Sequence, residues 1–280
     1  MKKPIIVGTD FSSGSYAALE LAVDIANRMQ TDILLIWAQR AKILASTDQV
    51  QMMERLANDK LLSLCAEWQP KMKHGIIRHE VYNGKVGAGL SAVARREDAV
   101  MMVIGTNGAS GFEKYLMGST AVRIVQEASC PVLTIREGFN FHKKLERIVV
   151  PLRINANSRQ KVPPAASMAK IFDSEVCILG LLDMAEDEMS LRTYMKQATD
   201  YLETEKIRYS TTIRKYNDYS DAVLHFADGI KADLVIINTE QDKIISQIFL
   251  GTNAQQIVHR SQIPVLCIHP EDYINVSAKI

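Results

Sequence analysis

The chain has 280 residues, 47% of them hydrophobic and 23% charged, which allows two domains with real cores and excludes a disordered chain. A net charge of +1 excludes general nucleic-acid binding by charge. Cys65, Cys130, Cys177 and Cys267 form no CxxC pair and the six histidines show no metal-ligand spacing, so neither a disulfide framework nor a metal centre is expected. Met1-Lys2-Lys3-Pro4 leads directly into a strand-like run without the pattern of a signal peptide, and no apolar run is long enough to cross a bilayer. The expectation is a cytoplasmic protein whose cysteines are small core hydrophobes in a reducing compartment.

Ile5–Thr9 reads as a strand. Ser12 is placed to cap a helix with Ala18, Leu21, Ala22, Ile25 and Met29 on one face. Ile33–Ala38 is a second strand. Val50–Trp68 is a helix with Val50, Met53, Leu56, Ala57, Leu61, Leu64 and Trp68 on its apolar side. Ile76–Tyr82, helix Val86–Arg96 and strand Val100–Gly105 follow. The amphipathic stretch after Gly118 is a fourth helix, and Val132–Arg136 a fifth strand. The same order then recurs, with strands near 147–152, 176–182, 207–214, 233–238 and 264–268.

The recurrence is a duplication. Residues 121–135, AVRIVQEASCPVLTI, align with residues 254–268, AQQIVHRSQIPVLCI, and seven positions are identical. Ile5 to Asp10 pairs with Ile148 to Arg153, and Ala99 to Ile104 with Ala232 to Ile237. Domains at 1–138 and 144–280 follow, joined by a short polar link. Strands alternating with helices imply βαβ crossovers. The expected fold is α/β: two tandem Rossmann-like domains, each a five-stranded parallel sheet in order 3-2-1-4-5 with helices on both faces. Ligands bind such sheets beyond the carboxyl ends, where strand order reverses. That point lies between strands one and four, where Asp10 and the segment after Gly105 meet.

That segment carries Gly105, Gly108 and then Gly118-Ser119, between an apolar strand and a helix. Glycines let backbone approach a ligand closely, and a helix start offers unpaired N–H groups to phosphate. The spacing Gly, two residues, Gly, nine residues, Gly, Ser or Thr resembles the nucleotide signature of the universal stress proteins, here in tandem form. Gly8-Thr9-Asp10-Phe11-Ser12 is similar to that family's opening. The resemblance covers nearly the whole chain and implies an adenine-nucleotide site in the first domain. Thr9 and Asp10 would face adenine and ribose. Trp37 would either stack on the base or fill its pocket. Ile104, Gly105 and Gly108 would run beside ribose and phosphates, with Gly118, Ser119 and Thr120 cradling the phosphates. The implied ligand is ATP, or ADP or AMP, with Mg²⁺ through the phosphates. The implied role is a stress-response nucleotide sensor, with an unknown protein partner and an intrachain pseudo-dimer or a homodimer. The bare alternatives for an Asp at that place and a Trp at a strand end are helix-start stabilisation and core packing.

In the second repeat Arg153 replaces the Asp, and Asn238 and Gln241 replace the first two glycines, leaving Gly251-Thr252. That pocket has either lost nucleotide and become a structural partner, or become a different anion or ligand site around Arg153. No nucleophile–base arrangement is evident, so the chain reads as a binding module. The alternatives are a slow ATPase or a nucleotide-free scaffold or carrier.

Overall fold

Ile5, Ile6 and Val7 are consecutive in a strand, so their side chains point to alternate faces, yet all three are fully buried. Only a sheet covered on both sides buries every residue of a strand. The computed structural model describes residues 2–39, 47–106, 119–139, 145–183, 188–239 and 252–269. The chain divides into two units, 1–139 and 140–280. In the first, β1 (Ile5–Thr9), β2 (Ile33–Gln39), β3 (Ile77–Asn83), β4 (Met101–Gly105) and β5 (Val132–Ile135) form a sheet in order β3-β2-β1-β4-β5. Every pairing in it is parallel. Helices α1 (Ser13–Met29), α2 (Thr47–Trp68), α3 (Val86–Arg96) and α4 (Ser119–Glu127) connect the strands.

The second unit repeats the plan with β6 (Arg147–Leu152), β7 (Glu175–Leu182), β8 (Tyr209–Lys215), β9 (Leu234–Asn238) and β10 (Val265–Ile268), ordered β8-β7-β6-β9-β10. Its helices are α5 (Val162–Phe172), α6 (Glu188–Thr204), α7 (Tyr219–Gly229) and α8 (Thr252–Arg260). Among the described residues, no helix is long and apolar enough to cross a membrane. The cysteines are free thiols. Cys130, Cys177 and Cys267 are buried and Cys65 is half-buried. Burial pushes the Cys177 and Cys267 thiols up, as a core position requires.

The apolar stripe of α2 is only partly covered. Ala57, Leu61, Leu64 and Trp68 are buried, but Met53 is 45% exposed and Leu56 53% exposed. The reason is length. Its 22 residues span about 33 Å at about 1.5 Å each, whereas the seven residues of β3 span about 23 Å at about 3.3 Å each. The first turns of α2 therefore overhang the carboxyl ends of the strands.

The two repeats differ most where the first helix begins. In repeat one, α1 runs unbroken from Ser13 to Met29. A Cβ on Gly105 would lie 2.6 Å from the Gly14 carbonyl carbon and 2.7 Å from its oxygen, so β4 ends directly against the backbone of α1. In repeat two the strand ends in Asn238, whose side-chain amide donates to the backbone carbonyl of Asn157, the counterpart of Gly14. There the helix opens as a 3₁₀ segment, Ala156–Lys161, before α5 begins. Pro163 and Pro164 lack the N–H groups that would bond Arg159 and Gln160 in an α-helical ladder, so α5 starts afresh at that point.

Gly105→Ala should therefore lower unfolding free energy by about 1–3 kcal/mol, because its obstacle is backbone that cannot swing away. Gly229→Ala meets open space at the end of α7 and should be neutral or stabilising by up to about 1 kcal/mol. Urea midpoints of the two variants check the contrast, and equal effects would contradict it.

Candidate functional site

Strand order reverses at β1, which lies between β2 and β4. Register aligns Thr9 with Trp37 and Gly8 with Ile104. Thr9, Asp10, Trp37, Ile104 and Gly105 are thereby brought to the carboxyl edge of one sheet. Ser119 is the first residue of α4, and Thr120 is exposed in its first turn. Gly108 and Gly118 lie outside the described residues. Ile104 is buried and packs inside the sheet.

The turn after β1 is held by a chain of hydroxyls. Ser15 Oγ donates to the Ser12 carbonyl at 2.9 Å, which uses its one proton. Thr9 Oγ1 must then donate to Ser15 Oγ, 3.0 Å away, while accepting the Phe11 N–H at 3.1 Å. Buried relays of this kind polarise one another and stiffen the loop. The Thr9 hydroxyl proton is thus engaged inside the protein, and any hydrogen bond that Thr9 donates to a ligand comes from its main chain. Neither Ser15 nor Phe11 stood out in the sequence.

Phe11 is forced into the left-handed region, φ 62°, which costs a non-glycine residue about 1–3 kcal/mol. Its ring stacks against Trp37, 6.4 Å between centroids and 27° between planes, and the Lys60 ammonium sits 5.2 Å from the Phe11 ring centre. Trp37 is half-buried, so it neither disappears into the core nor projects freely. Asp10 is exposed at the apex. One of its carboxylate oxygens accepts the Ser12 N–H at 3.0 Å and the Ser12 hydroxyl at 2.5 Å. Ser12 caps α1. Asp10 therefore holds the residue that caps α1, with its charge near the positive helix end.

Between α1 and α2 lies a cleft of about 440 Å³, bordered by Phe11, Tyr16, Leu56, Lys60 and Glu67. Phe11 belongs to both the turn and the cleft. Of the expected site residues that the structure describes, neither Gly105 nor Thr120 lines it.

Behind β4, Thr106 is buried and its N–H donates to the Ile135 carbonyl at 2.9 Å. Thr239 makes the same bond to Ile268 at 3.0 Å. This shared threonine fixes where the segment after each fourth strand leaves the sheet, and only an alignment of the two repeats would have singled it out.

The corresponding crevice of repeat two is cationic. Arg153 donates its backbone N–H to Ser158 Oγ at 2.9 Å and lays its guanidinium 4.5 Å from the Tyr219 ring centre. Ser158 is the counterpart of Ser15. Lys161 is only 3% exposed. Burial, reinforced by the nearby positive charge of Arg153, pushes its ammonium down to about 7. Tyr219 is pushed up to about 12 by burial, with Arg153 pulling the other way.

Two doubly wound α/β repeats, each with its crevice at the strand-order switch, define a tandem Rossmann-like protein. The sequence model of the universal stress protein family matches twice, over residues 1–136 and 145–269. The chain belongs to the universal stress protein family and carries two copies of its domain. Universal stress protein MJ0531 of Methanocaldococcus jannaschii is 26% identical over 145 residues, covering 48% of this chain and 82% of that protein. Universal stress protein Rv2623 of Mycobacterium tuberculosis is 29% identical over 136 residues, covering 48% of this chain and 45% of that protein. The matched segment is thus less than half the length of the mycobacterial relative. A universal stress protein from Archaeoglobus fulgidus superposes with TM-score 0.79 at 17% identity, over 95% of this chain and 98% of that one. Protein PA1789 of Pseudomonas aeruginosa superposes with TM-score 0.70 at 14% identity, over 100% and 98%. At these identities the superpositions establish the fold.

The depressed Lys161 has a stability consequence. Its ordinary value is 10.5 and its folded value about 7, so between them the unfolded chain binds more protons. Stability rises with pH across that window, and the buried charge weighs in full below it. Lys161→Met should be more stable than wild type near pH 6, with the advantage shrinking as pH climbs from about 7 towards 10. Denaturant unfolding at several pH values checks this, and a pH-independent difference would contradict it.

Proposed function

We propose that the first repeat binds an adenine nucleotide at the β1–β4 switch point and serves as a nucleotide-sensing module in a stress response. The observation that carries this is a convergence. Asp10 and Trp37 reach the same sheet edge as the end of β4, from which the glycine-bearing segment runs to the start of α4. These groups come from three places far apart in the chain and fit three parts of one ligand. Trp37, backed by Phe11, offers a ring face to the base. The exposed Asp10 carboxylate accepts from ribose hydroxyls. The segment holding Gly105, Gly108, Gly118, Ser119 and Thr120 faces the phosphates.

The first turn of α4 contains no acidic residue, so nothing there opposes a bound phosphate. ATP brings Mg²⁺ on its own phosphate oxygens, and ADP or AMP share the adenosine contacts. Thr9 serves by setting the turn that aims Asp10, with its main chain towards the adenosine. Gly105 has a structural task as well, since it admits α1 against β4. Binding that favours one arrangement of the segment after β4 would shift its population and alter the surface shown to a protein partner.

Calorimetric titration with ATP, ADP and AMP tests this reading. Asp10→Asn keeps an acceptor for Ser12 while removing the charge, and should weaken binding about 10–100-fold, the worth of a charged hydrogen bond. Trp37→Ala should also weaken it, by about 3–10-fold from lost stacking. Wild-type protein that binds none of the three nucleotides would overturn the proposal.

A further inference from the structure

Aligning the repeats sets Lys161 where repeat one has Ala18, a position with no exposure. A lysine therefore stands where repeat one buries an alanine. Among the described residues no carboxylate or carbonyl bonds to it, and the charge that acts on it is the positive one of Arg153. Two further groups nearby in the fold lack partners. The side-chain oxygens of Gln160 and Asn238 are buried without a donor, although the amide of each is engaged on Asn157. The 3₁₀ segment bearing Gln160 and Lys161 abuts β6 and β9, at the switch point of the second sheet. Buried charges and buried carbonyls are normally paired, because leaving them unpaired costs free energy. Here a donor cation and two acceptors remain unmatched on the 3₁₀ segment and on the strand end that it abuts.

We propose that the second repeat binds a phosphate group at this crevice, held between the Lys161 ammonium and the Arg153 guanidinium. An anion offsets the buried Lys161 charge, which an uncharged ligand does not. Arg153 stands at the end of β6, with its planar group steadied on Tyr219. The unmatched oxygens of Asn238 and Gln160 suit hydroxyl donors, so a small hydroxylated phosphomonoester fits better than phosphate alone. An anion beside Lys161 also favours its charged form, opposing the effect of burial. This site is separate from the nucleotide site of repeat one. It uses the residues by which repeat two departs from the nucleotide signature: Arg153 for Asp10, Asn238 for Gly105, Lys161 for Ala18.

The test is thermal denaturation and calorimetry of the full chain with inorganic phosphate, glycerol 3-phosphate and, as an uncharged control, glycerol. Either phosphate should raise the melting temperature of wild type by about 2 °C or more at saturation, with glycerol 3-phosphate binding at least about threefold more tightly. Lys161→Met should abolish the rise while remaining folded, since it replaces a buried charge by an apolar chain of similar length. Arg153→Gln, a change at a half-exposed position, should weaken binding at least tenfold. Loss of the rise in Lys161→Met, a change confined to the second repeat, separates this site from the nucleotide site. Equal responses of wild type and Lys161→Met, or no response to either phosphate, would overturn the proposal whatever ATP does.

Discussion

The clearance between the end of the fourth strand and the first turn of the first helix governs what each repeat can hold. In repeat one that clearance admits no side chain at all, because Gly105 faces the backbone of Gly14. The helix then begins at Ser13, its first turn is tied to Thr9 and Ser12, and Asp10 is left exposed at the apex. In repeat two the clearance is filled by Asn238, which bonds the chain it displaces. The helix start becomes a 3₁₀ segment, and the serine that bonded Thr9 in repeat one instead accepts the Arg153 N–H. One residue beyond glycine at the strand end therefore accompanies a different turn, a different charge and a different crevice. Duplication kept the sheet and the helix ends: Gln30 and Asp173 both close their helices in the left-handed conformation.

The fold was legible because each strand is a short apolar run, each helix has a periodic face, and the whole pattern occurs twice. Agreement between copies fixed the element order where one copy was weak, as at β3, whose exposed Ile76 lies outside the strand rather than starting it. The stripe of α2 misled, since periodicity reports which residues share a face and not whether a sheet extends beneath them. Met53 and Leu56 overhang that sheet.

The site was legible in part. Asp10 and the glycine spacing stand out as residue types, and topology brings Asp10, Trp37 and the end of β4 together. The left-handed Phe11 left no mark, because nothing local distinguishes a phenylalanine that tertiary contacts force to positive φ. Gly105 has a second task that its spacing does not show, since a Cβ there would meet the backbone of α1. Lys161 was invisible in the linear sequence, since a lysine just before Val162-Pro163-Pro164 reads as surface. Only its alignment with Ala18 marks it as buried. The pair Pro163-Pro164, by contrast, stands in plain view and bars α5 from continuing an α-helix begun as α1 is.

The two repeats thus present opposite charges at equivalent points, a carboxylate at position 10 and a guanidinium at position 153. A carboxylate and a guanidinium at equivalent points call for different ligand groups, and adenine is assigned to the first crevice alone. Photolabelling with 8-azidoadenosine triphosphate, followed by peptide mapping, tests that assignment most directly. The account predicts label on peptides containing Phe11 or Trp37, reduced by unlabelled ATP. Competable label confined to peptides between Arg147 and Thr239 would contradict it.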